Sequence, residues 1–230
     1  MLDVDITYLG NSLNTARIYG GGDHFDVRFY LLEKINSIKF KRVLDVGCGS
    51  GIILSELPKN GDKVGIDISR DILKISKILT KESLFVRGDI HFMPFRDDAF
   101  DLVFVACSFS KYDLNLAKKL ETKQSPERLL SEIYRILTPN GQLFLTTPNK
   151  GHQAYRLGKK IDYPTLDKLM SKFFERFEIE GFNPFSTLLP RLCAKVPGLD
   201  SLFFILLMRF ARFRPFRYIG KFFFVQAYKD

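Results

Sequence analysis

Val43-Leu44-Asp45-Val46-Gly47-Cys48-Gly49-Ser50-Gly51, the stretch VLDVGCGSG, decides how the rest of the chain reads. An apolar run broken by glycines at alternate positions is a buried strand stopping in a tight loop. Glycine lacks Cβ, so the backbone turns sharply there and approaches a ligand closely. Residues 52–57 follow as a helix, halted near Pro58 and Gly61. The N-terminus of such a helix presents N–H groups to a carboxylate or phosphate. A dinucleotide fingerprint requires Gly-x-Gly-x-x-Gly. Counted from Gly47, the sixth position is Ile52, so that fingerprint fails.

Working outward, short β-rich runs alternate with helix-period segments. Residues 42–46 form the first strand and 63–68 (KVGIDI) the second. Ser69 N-caps a helix over 70–79, whose Ile72, Leu73, Ile75, Ile78 and Leu79 make an apolar stripe. Residues 84–86 and 101–107 (DLVFVAC) read as strands three and four. Ser125-Pro126-Glu127 starts a helix to about Leu137, with proline at its first position. Pro139-Asn140-Gly141 turns into a fifth strand over 142–147. Further on, 163–174 reads as a helix, 177–182 as a strand and 221–229 (KFFFVQAYK) as a terminal strand. Upstream, a helix spans about 23–38, after a Gly20-Gly21-Gly22 break. Alternation of apolar strands with helices means a parallel sheet covered on both faces. Right-handed crossovers place the strands' C-terminal ends on one edge, where such sheets bind ligands.

Here the chain resembles the class I S-adenosylmethionine-dependent methyltransferases of the methyltransferase-11 type, the group that includes ubiquinone and menaquinone methylating enzymes. Five points match in order: DVGCGSG at 45–51; Asp67 ending the second strand; Gly88-Asp89-Ile90 after the third; Met93-Pro94-Phe95 followed by Phe100-Asp101-Leu102-Val103; and LLSEIYRILTPNG at 129–141. The resemblance implies an α/β, Rossmann-like, doubly wound seven-stranded sheet, parallel except for an antiparallel last strand. It implies S-adenosyl-L-methionine as cofactor. Asp45, Gly47, Cys48, Gly49 and Gly51 would hold its amino acid end, Asp67 its ribose hydroxyls, Asp89 and Ile90 its adenine, with Ile68 and Ala106 alongside and Tyr19 in a lid. A carboxylate accepts two hydrogen bonds from a cis-diol, which suits Asp67 to that place. The expected organisation is an N-terminal helical lid at 1–40, a cofactor-binding core at 41–185, an apolar-basic helical insertion at 186–220 and a terminal core strand at 221–230.

Methyl transfer asks the protein mainly to hold a nucleophile in line with the departing sulfur, and orientation of this kind supplies roughly 7–11 kcal/mol in favourable cases. A base is required only where the nucleophile must lose a proton. The segment after strand four, Ala106-Cys107-Ser108-Phe109-Ser110-Lys111-Tyr112-Asp113, lacks the histidine many relatives carry there. His152, after strand five, and His24, beside the glycine triplet, are the candidate acid/base residues. His91, in the turn after Asp89, reads as structural, and Cys107 as a small buried apolar residue. No Asn/Asp-Pro-Pro-Tyr run and no Pro-Cys pair is present, which argues against DNA-base methylation.

Composition adds an uneven charge. The chain of 230 residues carries 35 Lys+Arg against 26 Asp+Glu, a net +9. Residues 182–230 hold eight basic residues against two Asp, giving +6 of that total, and ten of the 23 Phe. Three scattered cysteines, Cys48, Cys107 and Cys193, form neither a disulfide framework nor a metal-ligand pair and read as reduced thiols of a cytoplasmic protein. No metal site is expected. The first twenty residues lack a signal-peptide pattern, and the longest uncharged apolar run, 202–208, is too short for a spanning helix of roughly 20 residues. Residues 199–213 (LDSLFFILLMRFARF) are apolar on nearly every helical face, and arginines 209, 212, 214 and 217 lie within or just beyond them. Such a helix is buried, pairs with a second copy in a homodimer, or meets an anionic membrane surface through 199–217. A nucleic-acid partner is disfavoured, because no RNA-recognition strand pattern accompanies the phenylalanines. The expected acceptor is a small molecule or a lipid-linked one, methylated on oxygen or carbon. The alternatives are an NAD(P)-dependent reductase, or a cofactor-binding module without turnover.

Overall fold

The computed structural model describes residues 25–59, 61–111, 125–150, 161–182 and 220–230. Within them the chain runs α1 (Phe25–Asn36), β1 (Arg42–Val46), α2 (Ile52–Glu56), β2 (Asp62–Asp67), α3 (Arg70–Leu79), β3 (Leu84–Arg87), β4 (Phe100–Ala106), α4 (Pro126–Ile136), β5 (Leu137–Pro148), α5 (Tyr163–Met170), β6 (Arg176–Phe182) and β7 (Phe222–Tyr228). The strands make one seven-stranded sheet in the order β3-β2-β1-β4-β5-β7-β6. Strands β1 to β5 pair in parallel, and β7 runs antiparallel between β5 and β6. The expected α/β sheet with an antiparallel last strand is therefore the fold.

The period-2 alternation of the strands distributes the core to both faces. Leu44, Val103, Leu145 and Val225 join Leu129, Leu130 and Ile133 of α4 and Leu166, Leu169 and Met170 of α5 on one face. Their neighbours Val43, Leu102, Phe104, Phe144 and Phe224 join Val27, Leu31 and Ile35 of α1 and Leu54 of α2 on the other. Capping fixes where helices start. Ser69 Oγ accepts from Ile72 N at 3.3 Å, Ser125 Oγ from Arg128 N at 3.1 Å, and Asp162 Oδ1 from Thr165 N at 3.0 Å.

Two differences from the sequence reading have physical causes. The Pro139-Asn140-Gly141 turn does not precede β5 but lies inside it. The β4–β5 register slips between the Phe100↔Leu137 and Leu102↔Gln142 pairs, and Asn140 takes a left-handed φ of 62°. Asn140 N–H donates to Lys229 O at 2.8 Å and Lys229 N–H to Gly141 O at 3.0 Å, so pairing continues across the kink. The tail's aromatic richness is partly a core property. Phe182, Phe222, Phe223 and Phe224 are almost wholly buried, so four of the ten phenylalanines counted from 182 onward belong to the sheet. The helix expected near 23–38 is observed as α1, with Tyr30 stacked on Phe182 at 4.7 Å and its hydroxyl bonded to Glu180.

Candidate functional site

Strand order reverses between β1 and β4, and the loop leaving β1 lies at this switch point, where open parallel sheets bind ligands. Gly47, Gly49 and Gly51 have φ of +74°, +52° and +72°, a region costly for any other residue. Their surroundings differ. A Cβ on Gly47 would meet Ser108 Oγ at 2.4 Å, and one on Gly51 would meet Phe85 Cζ at 2.9 Å. A Cβ on Gly49 would meet nothing within 4 Å. Gly47 and Gly51 thus permit packing, while Gly49 borders open space.

The loop is fixed from below. Gly47 N–H and Cys48 N–H both donate to Ile66 O, at 2.8 and 3.0 Å. Ser76 Oγ lies 2.7 Å from Gly49 O, Thr80 Oγ1 donates to Gly51 O at 3.3 Å, and Ser108 Oγ to Gly47 O at 3.3 Å. Asp67 ties the loop to β2: its Oδ2 accepts Gly49 N–H at 3.0 Å, and its Oδ1 accepts Ser69 N–H at 2.9 Å.

A small cleft results, lined by Asp45, Gly47, Cys48, Gly49, Ser50 and Ala106, with Ile52 and Ile53 of α2. Asp45 is the chemically distinct member. It is 2% exposed, and among the described residues no donor reaches its Oδ1. Burial pushes its carboxyl well above the ordinary carboxylate range, and the neighbouring charge of Asp67 pushes the same way. Burial, then the charges of Asp45 and Asp67, likewise raise the Cys48 thiol, which stays protonated and inert. Gly65 makes room for that thiol, since a Cβ there would come within 2.8 Å of Cys48 Sγ.

Asp45, Gly47, Cys48, Gly49 and Ala106 line the cleft, Asp67 adjoins it through Gly49, and Gly51 packs beneath it. Ile68 is 62% exposed beside Asp67 and can cover a flat ring. Asp89 is partly exposed after β3, whereas the Ile90 side chain is buried in the core beside Ile66 and Met93. Tyr19, His24 and His152, and residues 186–219 of the insertion, lie outside the described residues. Cys107 is buried, its Sγ 3.8 Å from Thr146 Oγ1. The sequence reading missed Ser76, Ser108 and the burial of His91; a hydroxyl on a helix carries no signal of what it caps.

The donor set suits an amino acid end better than a phosphate. A pyrophosphate would meet the buried carboxyl of Asp45, whereas an ammonium would give its unsatisfied oxygen a donor. The cradle beside Gly49 leaves the close approach such a group requires.

Comparison with known proteins agrees. Residues 44–145 match the family model described as a methyltransferase domain. A ubiquinone biosynthesis O-methyltransferase of Haemophilus ducreyi is 32% identical over 151 residues, covering 65% of this chain and 62% of that protein. The chain thus spans less than two thirds of that relative. A Thermotoga maritima protein described as an S-adenosylmethionine-dependent methyltransferase, possibly acting on histamine, superposes with a TM-score of 0.61 at 19% identity, over 95% of this chain and 96% of that one. Phosphoethanolamine N-methyltransferase 2 of Haemonchus contortus, solved with S-adenosyl-L-methionine, gives 0.61 at 19% identity over 88% of this chain and 52% of that one. At these identities the two structures show the shared fold.

Proposed function

We propose that this chain, whose residues 44–145 belong to the methyltransferase domain family, binds S-adenosyl-L-methionine in the cleft after β1 and methylates a small or lipid-linked acceptor on oxygen or carbon. One observation carries the reading: Asp45, whose buried Oδ1 meets no donor among the described residues, lines the cleft beside Gly49. When bound, the cofactor supplies a methyl group on a sulfonium, already attached to a good leaving group. Asp45 would accept from the amino end, Asp67 from the ribose diol, and Asp89 from the adenine amino group. Gly47, Cys48 and Gly49 offer the backbone, with Ile68, Ile90 and Ala106 alongside. The described residues thus orient the cofactor. Tyr19 in the 1–40 segment, with His24 and His152, remain the candidates for closing the site and moving an acceptor proton. The H. ducreyi relative's name favours oxygen as the methylated atom.

Isothermal titration tests this reading. Micromolar binding of S-adenosylmethionine is expected, followed by methyl transfer across a panel of phenolic and lipid-linked acceptors. No binding at millimolar cofactor, or a thermal shift with NAD(P)H alone, would overturn it. Binding without transfer would leave a cofactor-binding module.

The 186–220 insertion bears on how the acceptor is reached. Phe182 ends β6 opposite Phe222, and Phe222 also pairs with Pro148 at the C-terminal end of β5. The chain between β6 and β7 therefore leaves and returns at the same sheet edge as the cleft. Among the described residues no helix is long and apolar enough to cross a membrane. A cytoplasmic protein touching anionic lipid through 199–217 fits this placement, each basic residue near the surface adding about 1 kcal/mol. The protein is expected to pellet with phosphatidylserine vesicles at low salt and to release at high salt. If it stays in solution while deletion of 199–217 gives insoluble protein, the segment is core or a dimer contact instead.

A further inference from the structure

The turn after β3 holds an arrangement that the cleft does not explain. His91 is fully buried, at 0% exposure. Asp89 Oδ1 accepts the His91 backbone N–H at 2.9 Å and bonds its ring Nδ1 at 2.8 Å. A carboxylate only accepts, which assigns the shared proton to Nδ1.

Helix α4 clamps the backbone of His91 and of the segment that follows it. Arg128 Nε donates to His91 O at 3.0 Å, and its guanidinium carbon lies 4.9 Å from the Phe92 ring centre. Glu132 Oε2 accepts Met93 N–H at 2.9 Å, and Arg135 donates to Met93 O and Phe95 O at 3.1 and 2.7 Å. Burial works against the charge of Glu132, but the bonds from Arg135 and Met93 and the two arginine charges hold its carboxyl below the usual range. The clamp therefore persists at neutral pH. It delivers one imidazole N–H, from the protein interior, to a carboxylate that is 28% exposed.

We propose that His91 is a positioning residue that holds Asp89 as a hydrogen-bond acceptor and thereby selects a 6-aminopurine over a 6-oxopurine in the cofactor. The Nδ1–H of His91 fixes the carboxylate's rotamer through Oδ1, so that the group turned to a ligand offers only lone pairs. The second bond, from the His91 backbone, makes the same rotamer the one the turn itself favours. The inference rests on the reading that Asp89 meets the adenine.

The test measures the affinity ratio of S-adenosylhomocysteine to S-inosylhomocysteine by titration calorimetry on the full chain. His91→Leu, which has no donor, is expected to narrow the wild-type ratio about tenfold, the worth of one charge-assisted hydrogen bond. His91→Asn, whose amide nitrogen can stand where Nδ1 does, is expected to keep the ratio within about threefold of wild type. Thermal unfolding of both variants reports whether the fold persists. A residue that only fills the core would change melting temperature in both and the ratio in neither. An unchanged ratio in a folded His91→Leu, or an equal loss in His91→Asn, overturns the proposal. Asp89→Asn separates the two layers. If it abolishes the preference while His91→Leu does not, His91 alone is wrongly placed. If Asp89→Asn also leaves the ratio intact, the adenine reading of Asp89 falls, and the proposal with it.

Discussion

Asp67→Ala is expected to weaken S-adenosylmethionine binding by at least about 100-fold, near 3 kcal/mol. Two losses combine. The proposed bonds to the ribose diol disappear, and each hydrogen bond to a charged group contributes about 1.5–3 kcal/mol. The two anchors present without ligand also disappear: Gly49 N–H at 3.0 Å and Ser69 N–H at 2.9 Å. Gly49 is the residue that borders the open cleft, so releasing it loosens the cradle itself. The preorganisation that made binding inexpensive in conformational entropy is then lost as well. Asp67→Asn separates the contributions. Its amide oxygen can still accept one bond, so it is expected to lie between wild type and Asp67→Ala. Calorimetric titration of the three proteins, with a melting curve for each, checks the result. Binding of Asp67→Ala within about threefold of wild type, below 1 kcal/mol, would remove Asp67 from the site and with it the reading of the cleft.

The double role of Asp67 shows what a sequence can and cannot convey. A carboxylate closing the second strand of such a chain is a legible signal, because strand ends at that edge meet ligands. Its grip on Gly49 is not legible, since residues 18 apart touch only once β1 and β2 lie side by side in register. The sheet was legible for a similar reason. Apolar runs, glycine breaks and the Ser69 and Ser125 caps are local, and each strand has only one way to bury both faces. The kink at Asn140 was misplaced because its cause is distant: the bonds to Lys229 that carry pairing across it come from the far end of the chain. His91 shows the same limit. Nothing near it in sequence announces that Arg128, Glu132 and Arg135 will bond to the backbone of its turn. Ile90, expected beside the adenine from its place after Asp89, has its side chain among the buried core residues instead.

Asp45→Asn is expected to move stability and affinity in opposite directions. The Asp45 carboxyl is 2% exposed with an oxygen that no described residue satisfies, and burial raises its pKa, with Asp67 adding to the rise. A folded pKa above the unfolded one means that the native state prefers the neutral acid. The associated stability is fully present below the unfolded pKa and is lost as pH rises through the folded pKa. An amide stays neutral throughout. Without cofactor, Asp45→Asn is therefore expected to melt higher than wild type at pH 8, by about 2–4 °C for each ~1 kcal/mol relieved. The gap should shrink as pH falls through the raised Asp45 pKa. Cofactor binding should suffer instead, by roughly 10–100-fold, because a charged acceptor for the ammonium has become a neutral one. Saturating S-adenosylmethionine would then reverse the order of the two melting curves, since a ligand stabilises the native state by an amount that grows with the logarithm of its affinity. A buried charge that weakens the empty protein and strengthens the loaded one is hard to explain as packing, and simple as a binding site that keeps one hydrogen-bonding position open for its ligand. Lower stability of Asp45→Asn at every pH, with affinity unchanged, would instead make Asp45 a structural residue of the β1 turn.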